Sequence, residues 1–118
     1  MNKIIAVALL SVVFSANALA GPEDSYDRTT DAKKIGWMDR GKQAAKAKLK
    51  DPSSAKFRNV YFHRGADNIP MTCGEVNSKN SFGGYGGYQK FVSAGKPEVT
   101  FLQEQVADFS NVWNRFCR

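Results

Sequence analysis

Histidine and cysteine are scarce in this chain, with one histidine and two cysteines among 118 residues. Those side chains fall short of the ligand set of a structural zinc site, and without a Cys-x-x-Cys pair there is no redox couple of the usual spacing. Phosphate-cradling signatures are also missing. Neither Gly-x-x-x-x-Gly-Lys-Ser/Thr nor a Gly-x-Gly-x-x-Gly run after a strand occurs, so neither a metal nor a cofactor is expected. No zinc-finger, helix-turn-helix or RNA-binding signature accompanies the basic charge, which sets nucleic acid aside as a partner. The longest apolar run, Ile4 to Phe14, is well short of the roughly 20 residues that cross a bilayer as a helix.

What is present is a composition 42% hydrophobic and 24% charged, that of one globular domain: too short for two cores and too apolar for disorder. The N-terminus reads as a secretory signal peptide over residues 1–20. Met1-Asn2-Lys3 is its positive region, Ile4 to Phe14 its apolar stretch and Ala18-Leu19-Ala20 its small-x-small cleavage site. Cleavage leaves Gly21 first, with no cysteine to carry a lipid, so an exported protein, periplasmic or secreted, is expected. Taking 20 leader residues from 118 leaves 98, with 16 basic against 11 acidic side chains. In an oxidising compartment Cys73 and Cys117 pair. Closing that loop is worth about 4 kcal/mol against the unfolded chain.

Gly21 to Thr30 is polar and aperiodic, a flexible lead-in to a single domain over 31–118. Thr30 or Asp31 caps a helix that Asp51-Pro52 ends, with Ile35, Met38, Ala45 and Leu49 on its apolar face and Ala32 extending it. Gly36 and Gly41 weaken it. Its basic residues include Lys34, Lys42, Lys46 and Lys50, a candidate surface for an anionic polymer or a lipid headgroup. Asp51-Pro52-Ser53-Ser54 can open a further helical turn. Strands are expected over Phe57–His63, Thr72–Asn77, Tyr88–Ser93 and Val99–Leu102. In the first, Phe57, Asn59, Tyr61 and His63 alternate with Arg58, Val60 and Phe62. Val106, Phe109, Val112, Trp113 and Phe116 make the apolar stripe of a last helix, with Cys117 beside it. The expected fold is α+β: an N-terminal helix, a four-stranded mainly antiparallel sheet and a C-terminal helix, both helices on one face, with one disulfide.

Ser81 to Tyr88 interleaves Phe82, Tyr85 and Tyr88 with Gly83, Gly84, Gly86 and Gly87. Glycine at that density carries an entropic cost. It serves either a tight loop whose aromatics fold back on the sheet, or a close backbone approach to a partner with the aromatics as contact area. Asn77, Lys79 and Asn80 precede it as polar candidates. The runs DPSSAKFRNV (Asp51 to Val60) and CGEVNSKNSFGGYGGYQKF (Cys73 to Phe91) resemble a family of small exported bacterial proteins, also met in prophage regions, to which no activity is assigned. The resemblance implies that Arg58, Asn59, Glu75, Asn77, Lys79 and Asn80 belong to one pattern with the glycine loop. It supplies no catalytic residues.

Three functions follow as expectations. The first is a binding module that occupies a protein partner of the cell envelope, as an inhibitor or immunity-type protein does, through Arg58, Asn59, Glu75, Asn77, Lys79, Asn80 and the segment Phe82 to Tyr88. The second is association with an envelope polymer or anionic membrane through the lysine-rich helix. The third is a small hydrolase using His63 or Glu75, although no spacing places an acid–base pair.

Overall fold

A computed structural model describes residues 29–118. The signal-peptide segment and all of the lead-in before Thr29 lie outside the described residues. Helix α1 spans Asp31–Lys46, and Thr30 caps it by accepting a hydrogen bond from the Lys33 amide through its side chain. The helix stops short of Asp51-Pro52. Lys48 and Leu49 donate to the carbonyls of Ala45 and Lys46, three residues back, and this tightened turn leads the chain away. Pro52–Ser54 then forms the expected helical turn.

The buried face of α1 differs from the expected stripe. Gly41, Ala44 and Ala45 are buried, as is Leu49 just beyond the helix, whereas Ile35 is 63% exposed and Ala32 is also in solvent. A Cβ on Gly41 would stand 2.4 Å from the Thr72 Cβ, so the helix approaches the sheet at a residue that has no side chain. At about 100° per residue, Ile35 lies about 120° round the helix from that contact line. Lys34 sits nearer to it, with its ammonium 5.9 Å from the Phe62 ring centroid.

The sheet is an antiparallel meander in the order β1-β2-β3-β4, comprising β1 (Lys56–Arg64), β2 (Pro70–Asn77), β3 (Gln89–Ser93) and β4 (Thr100–Leu102). On one face Val76, Phe91 and Leu102 pack with Ala45 of α1 and Leu49 of the turn after it, flanked by Phe57 and Val60. On the other, Met71, Cys73 and Val92 pack with Phe109 and Cys117, joined by Phe101, Val112, Trp113 and Phe116. The helices therefore lie on opposite faces, not on one. The reason is β2, where Met71 to Gly74 are all buried. A strand buried on both faces needs a cover on both.

Helix α2 (Phe109–Phe116) starts after Asp108, which adopts a left-handed backbone (φ 57°), so Val106 joins the core from outside the helix. Cys73 and Cys117 form a disulfide with Cα atoms 5.9 Å apart. The Tyr61 hydroxyl donates to the Cys117 carbonyl at 2.7 Å, tying the C-terminus to β1. Burial pushes the Tyr61 phenol above its ordinary pKa, which keeps it protonated for this bond. Buried polar groups are likewise paired: Thr72 Oγ1 donates to the Trp37 carbonyl at 3.0 Å, and Thr100 Oγ1 donates to the Lys96 carbonyl at 2.6 Å.

Candidate functional site

Two adjoining features arise where the upper end of the sheet leaves α2 and meets the long β2–β3 connection. The first is a β-bulge. Arg58 pairs with Glu75 and Tyr61 with Cys73, so β1 carries one residue more than β2 over that interval. Asn59 takes the bulge in left-handed backbone (φ 53°), a conformation asparagine tolerates. The expected alternation therefore breaks at Asn59. Phe57 and Val60 both face α1, and Tyr61 crosses to the α2 side to stand edge-on to Trp113 at 6.3 Å.

The bulge gathers a polar cluster on Glu75. Asn59 Nδ2 donates to its Oε1 at 2.8 Å, while Arg58 Nε and Nη2 donate to the two oxygens at 3.2 and 3.3 Å. The Asn59 bond, then the Arg58 bond and charge, hold the Glu75 carboxyl below its ordinary pKa. A carboxylate locked in that state is poorly suited to general acid work near neutrality. His63 pairs with Met71, four residues along β2 from Glu75, a separation of about 13 Å that removes the two as an acid–base pair. The Arg58 guanidinium stacks 3.8 Å from the Tyr88 ring centroid, and Lys90 lies 4.7 Å from that of Trp113. Among the described residues no group of three His, Cys, Asp or Glu side chains is placed to hold a metal.

The second feature is the loop over residues 78–88, in which Lys79 and Tyr85 form an antiparallel bridge. Asn80 and Asn77, candidate contact residues from sequence, brace it from within. Asn80 Oδ1 accepts from the amides of Phe82 and Gly84, and Asn77 Oδ1 accepts from the Gly87 amide. Tyr85 is pinned as well. Its hydroxyl donates to the Ser54 carbonyl at 3.1 Å, and the Lys56 and Lys79 ammonium groups lie 4.5 and 5.9 Å from its ring centroid. Ser54 Oγ accepts from the Lys79 amide, so the turn after α1 and the loop are stitched together. Gly83 and Gly87 have φ of 81° and 99°, which L side chains rarely adopt. Gly84 and Gly86 have no such φ, and nothing lies within 4 Å of where a Cβ would stand. Phe82, at the tip, is 98% exposed.

Of the three aromatics, then, Tyr85 and Tyr88 hold the frame and Phe82 is presented. Between loop, post-α1 turn and the Gln103–Gln105 turn runs a groove of about 400 Å³, lined by Lys48, Lys50, Lys79, Phe82 and Tyr88 among others. Lys48, Gln89, Glu104 and Gln105 enter it without any motif that marks them. Only tertiary contact brings the last turn beside the loop. The lysine surface foreseen on α1 is divided. Lys34 turns toward Phe62, Lys42 and Lys46 stay on the helix, and Lys50 lies beyond it with Nζ on Ser81 Oγ at 3.1 Å. Comparison with known protein families, curated proteins and solved structures finds no match, so a functional reading rests on the chemistry of this surface.

Proposed function

We propose that the protein is an exported, disulfide-stapled binding module that acts by occupying a protein partner of the cell envelope, as inhibitors and immunity proteins do, with the loop over residues 78–88 as its contact. The observation that carries this reading is the pairing of a braced loop with an almost wholly exposed Phe82. An aromatic held out on an ordered frame adds little to its own fold, and it makes a low-entropy anchor for another surface. The leader-like residues 1–20, the disulfide and the resemblance to prophage-associated exported proteins support an extracytoplasmic role. A periplasmic site of action belongs to the same proposal. Association with an envelope polymer or anionic lipid through α1 draws less support, since its lysines do not form one surface: Lys34 is turned toward Phe62, and Lys50 stands beyond the helix at the loop.

The test is capture from envelope extracts by the oxidised protein and by Phe82→Ala, followed by a titration with the purified captured protein. Phe82→Ala should weaken that affinity at least about 30-fold, as for a central aromatic anchor. Its unfolding free energy should stay within about 0.5 kcal/mol of the parent. Equal affinity of the two forms sinks the proposal, and release of every captured species by salt moves the function to the lysines.

A further inference from the structure

We infer that the groove between the loop and the turn after α1 receives a short extended acidic segment of the protein partner, an inference that rests on the binding role proposed for the loop. The first argument is charge. Lys48, Lys50 and Lys79 line the groove, and Glu104 is the single acid among its lining residues. Among the described residues none of the three has a carboxylate partner. Lys48 Nζ donates to the Thr100 carbonyl at 2.7 Å, Lys50 Nζ to Ser81 Oγ at 3.1 Å, and Lys79 Nζ stands over Tyr85. The ion pairs among the described residues, Arg58–Glu75 and Arg115–Asp67, involve no groove residue.

The second argument is hydrogen-bond complementarity. Gln89 Oε1 accepts from the Glu104 amide at 2.9 Å, which leaves the Gln89 amide hydrogens to donate. Gln105 Nε2 donates to the Lys48 carbonyl at 3.1 Å, which leaves the Gln105 oxygen to accept. One donor and one acceptor, each oriented by a bond on its other atom, match the carbonyl and N–H of a peptide backbone. The third is access. Gly86 and Gly87 border the groove with open space at the Cβ position, and their own amides are taken by the Ser78 carbonyl and Asn77 Oδ1. They make room and do not donate. Lipid headgroups or phosphate polymers would satisfy the lysines but leave the paired glutamines and the bare glycine wall unused. A peptide with carboxylates uses all three, and the volume is that of a small ligand site, suited to a few residues.

The experiment titrates the oxidised, nitrogen-15-labelled protein with a peptide carrying glutamate at alternate positions, with its glutamine counterpart, and with phosphatidylglycerol vesicles, reading amide shifts. The glutamate peptide should move amides of the 48–50, 78–89 and 103–105 stretches, and the glutamine peptide should not. The double variant Lys50→Gln/Lys79→Gln should lower that affinity roughly tenfold or more. Lys33→Gln/Lys46→Gln removes the same charge from α1 and should change it little. No shift at millimolar peptide, an equal response to the glutamine peptide, shifts centred on α1, or binding of vesicles in place of peptide would each overturn the inference. Capture that survives Lys50→Gln/Lys79→Gln but not Phe82→Ala overturns the groove and leaves the loop reading standing. Glutamate-peptide binding in the groove, with capture indifferent to Phe82→Ala, does the reverse.

Discussion

Asn59 and Arg58 bond to Glu75 at the sheet end and stabilise its charged form. Its folded pKa lies below the unfolded one, so the stabilisation is complete above the ordinary glutamate range and fades as pH falls through the folded value. In urea unfolding from about pH 7 down to about pH 3, Glu75→Gln should therefore be less stable than the parent at neutral pH, and the gap should close in acid. A gap independent of pH would assign the loss to packing. Gly41 invites a second test at the same scale. Gly41→Ala drives a methyl into Thr72 and should cost about 1–3 kcal/mol. Gly36→Ala, with only Arg40 Nη1 at 3.8 Å, should be neutral or stabilising by up to about 1 kcal/mol. Urea midpoints for the pair measure both. From sequence the two glycines carry the same penalty, because propensity does not register what stands opposite.

At the level of elements, β1 and the loop illustrate how one residue redirects a surface. Alternation located β1 but assigned Asn59 and Tyr61 to the face of Phe57, and the bulge at Asn59 moves Tyr61 to the α2 side. A two-residue period cannot anticipate an inserted residue, although an asparagine inside an aromatic strand was the available hint. The loop depends on Asn80 in the same way, through its two accepted bonds. Asn80→Ala should raise hydrogen exchange at the amides of Phe82 and Gly84 roughly tenfold, the worth of about one net hydrogen bond, while β2 and β3 amides keep their protection. Partner capture should fall with it although Phe82 is intact. Unchanged exchange would show that the glycine turns alone hold the loop. The sequence marked Asn77 and Asn80 as polar candidates beside the loop, and the structure gives their side-chain oxygens bonds from backbone amides of the loop itself.

For the whole molecule the disulfide closes the fold around the sheet. Cys73 lies in the central strand β2 and Cys117 follows α2, with 44 residues of separation. Helix α2 has only eight residues, too few to persist alone, so its place depends on the bridge and on Phe109 and Trp113. Replacing both cysteines by serine should cost about 4 kcal/mol on the chain-entropy account. Amide exchange should then show α2 opening before β2 and β3. Loss of α1 protection first would place the weak unit on the other face. By itself the sequence determined the order of helix and strands and the pairing of its two cysteines, because these depend on local periodicity, turn chemistry and composition. Tertiary structure alone decided which face each helix covers, which side of α1 is buried, and that Lys48, Gln89 and Gln105 border one groove. Those outcomes arise from residues far apart in the chain whose backbones approach only where a small side chain permits it, and no local pattern records that approach.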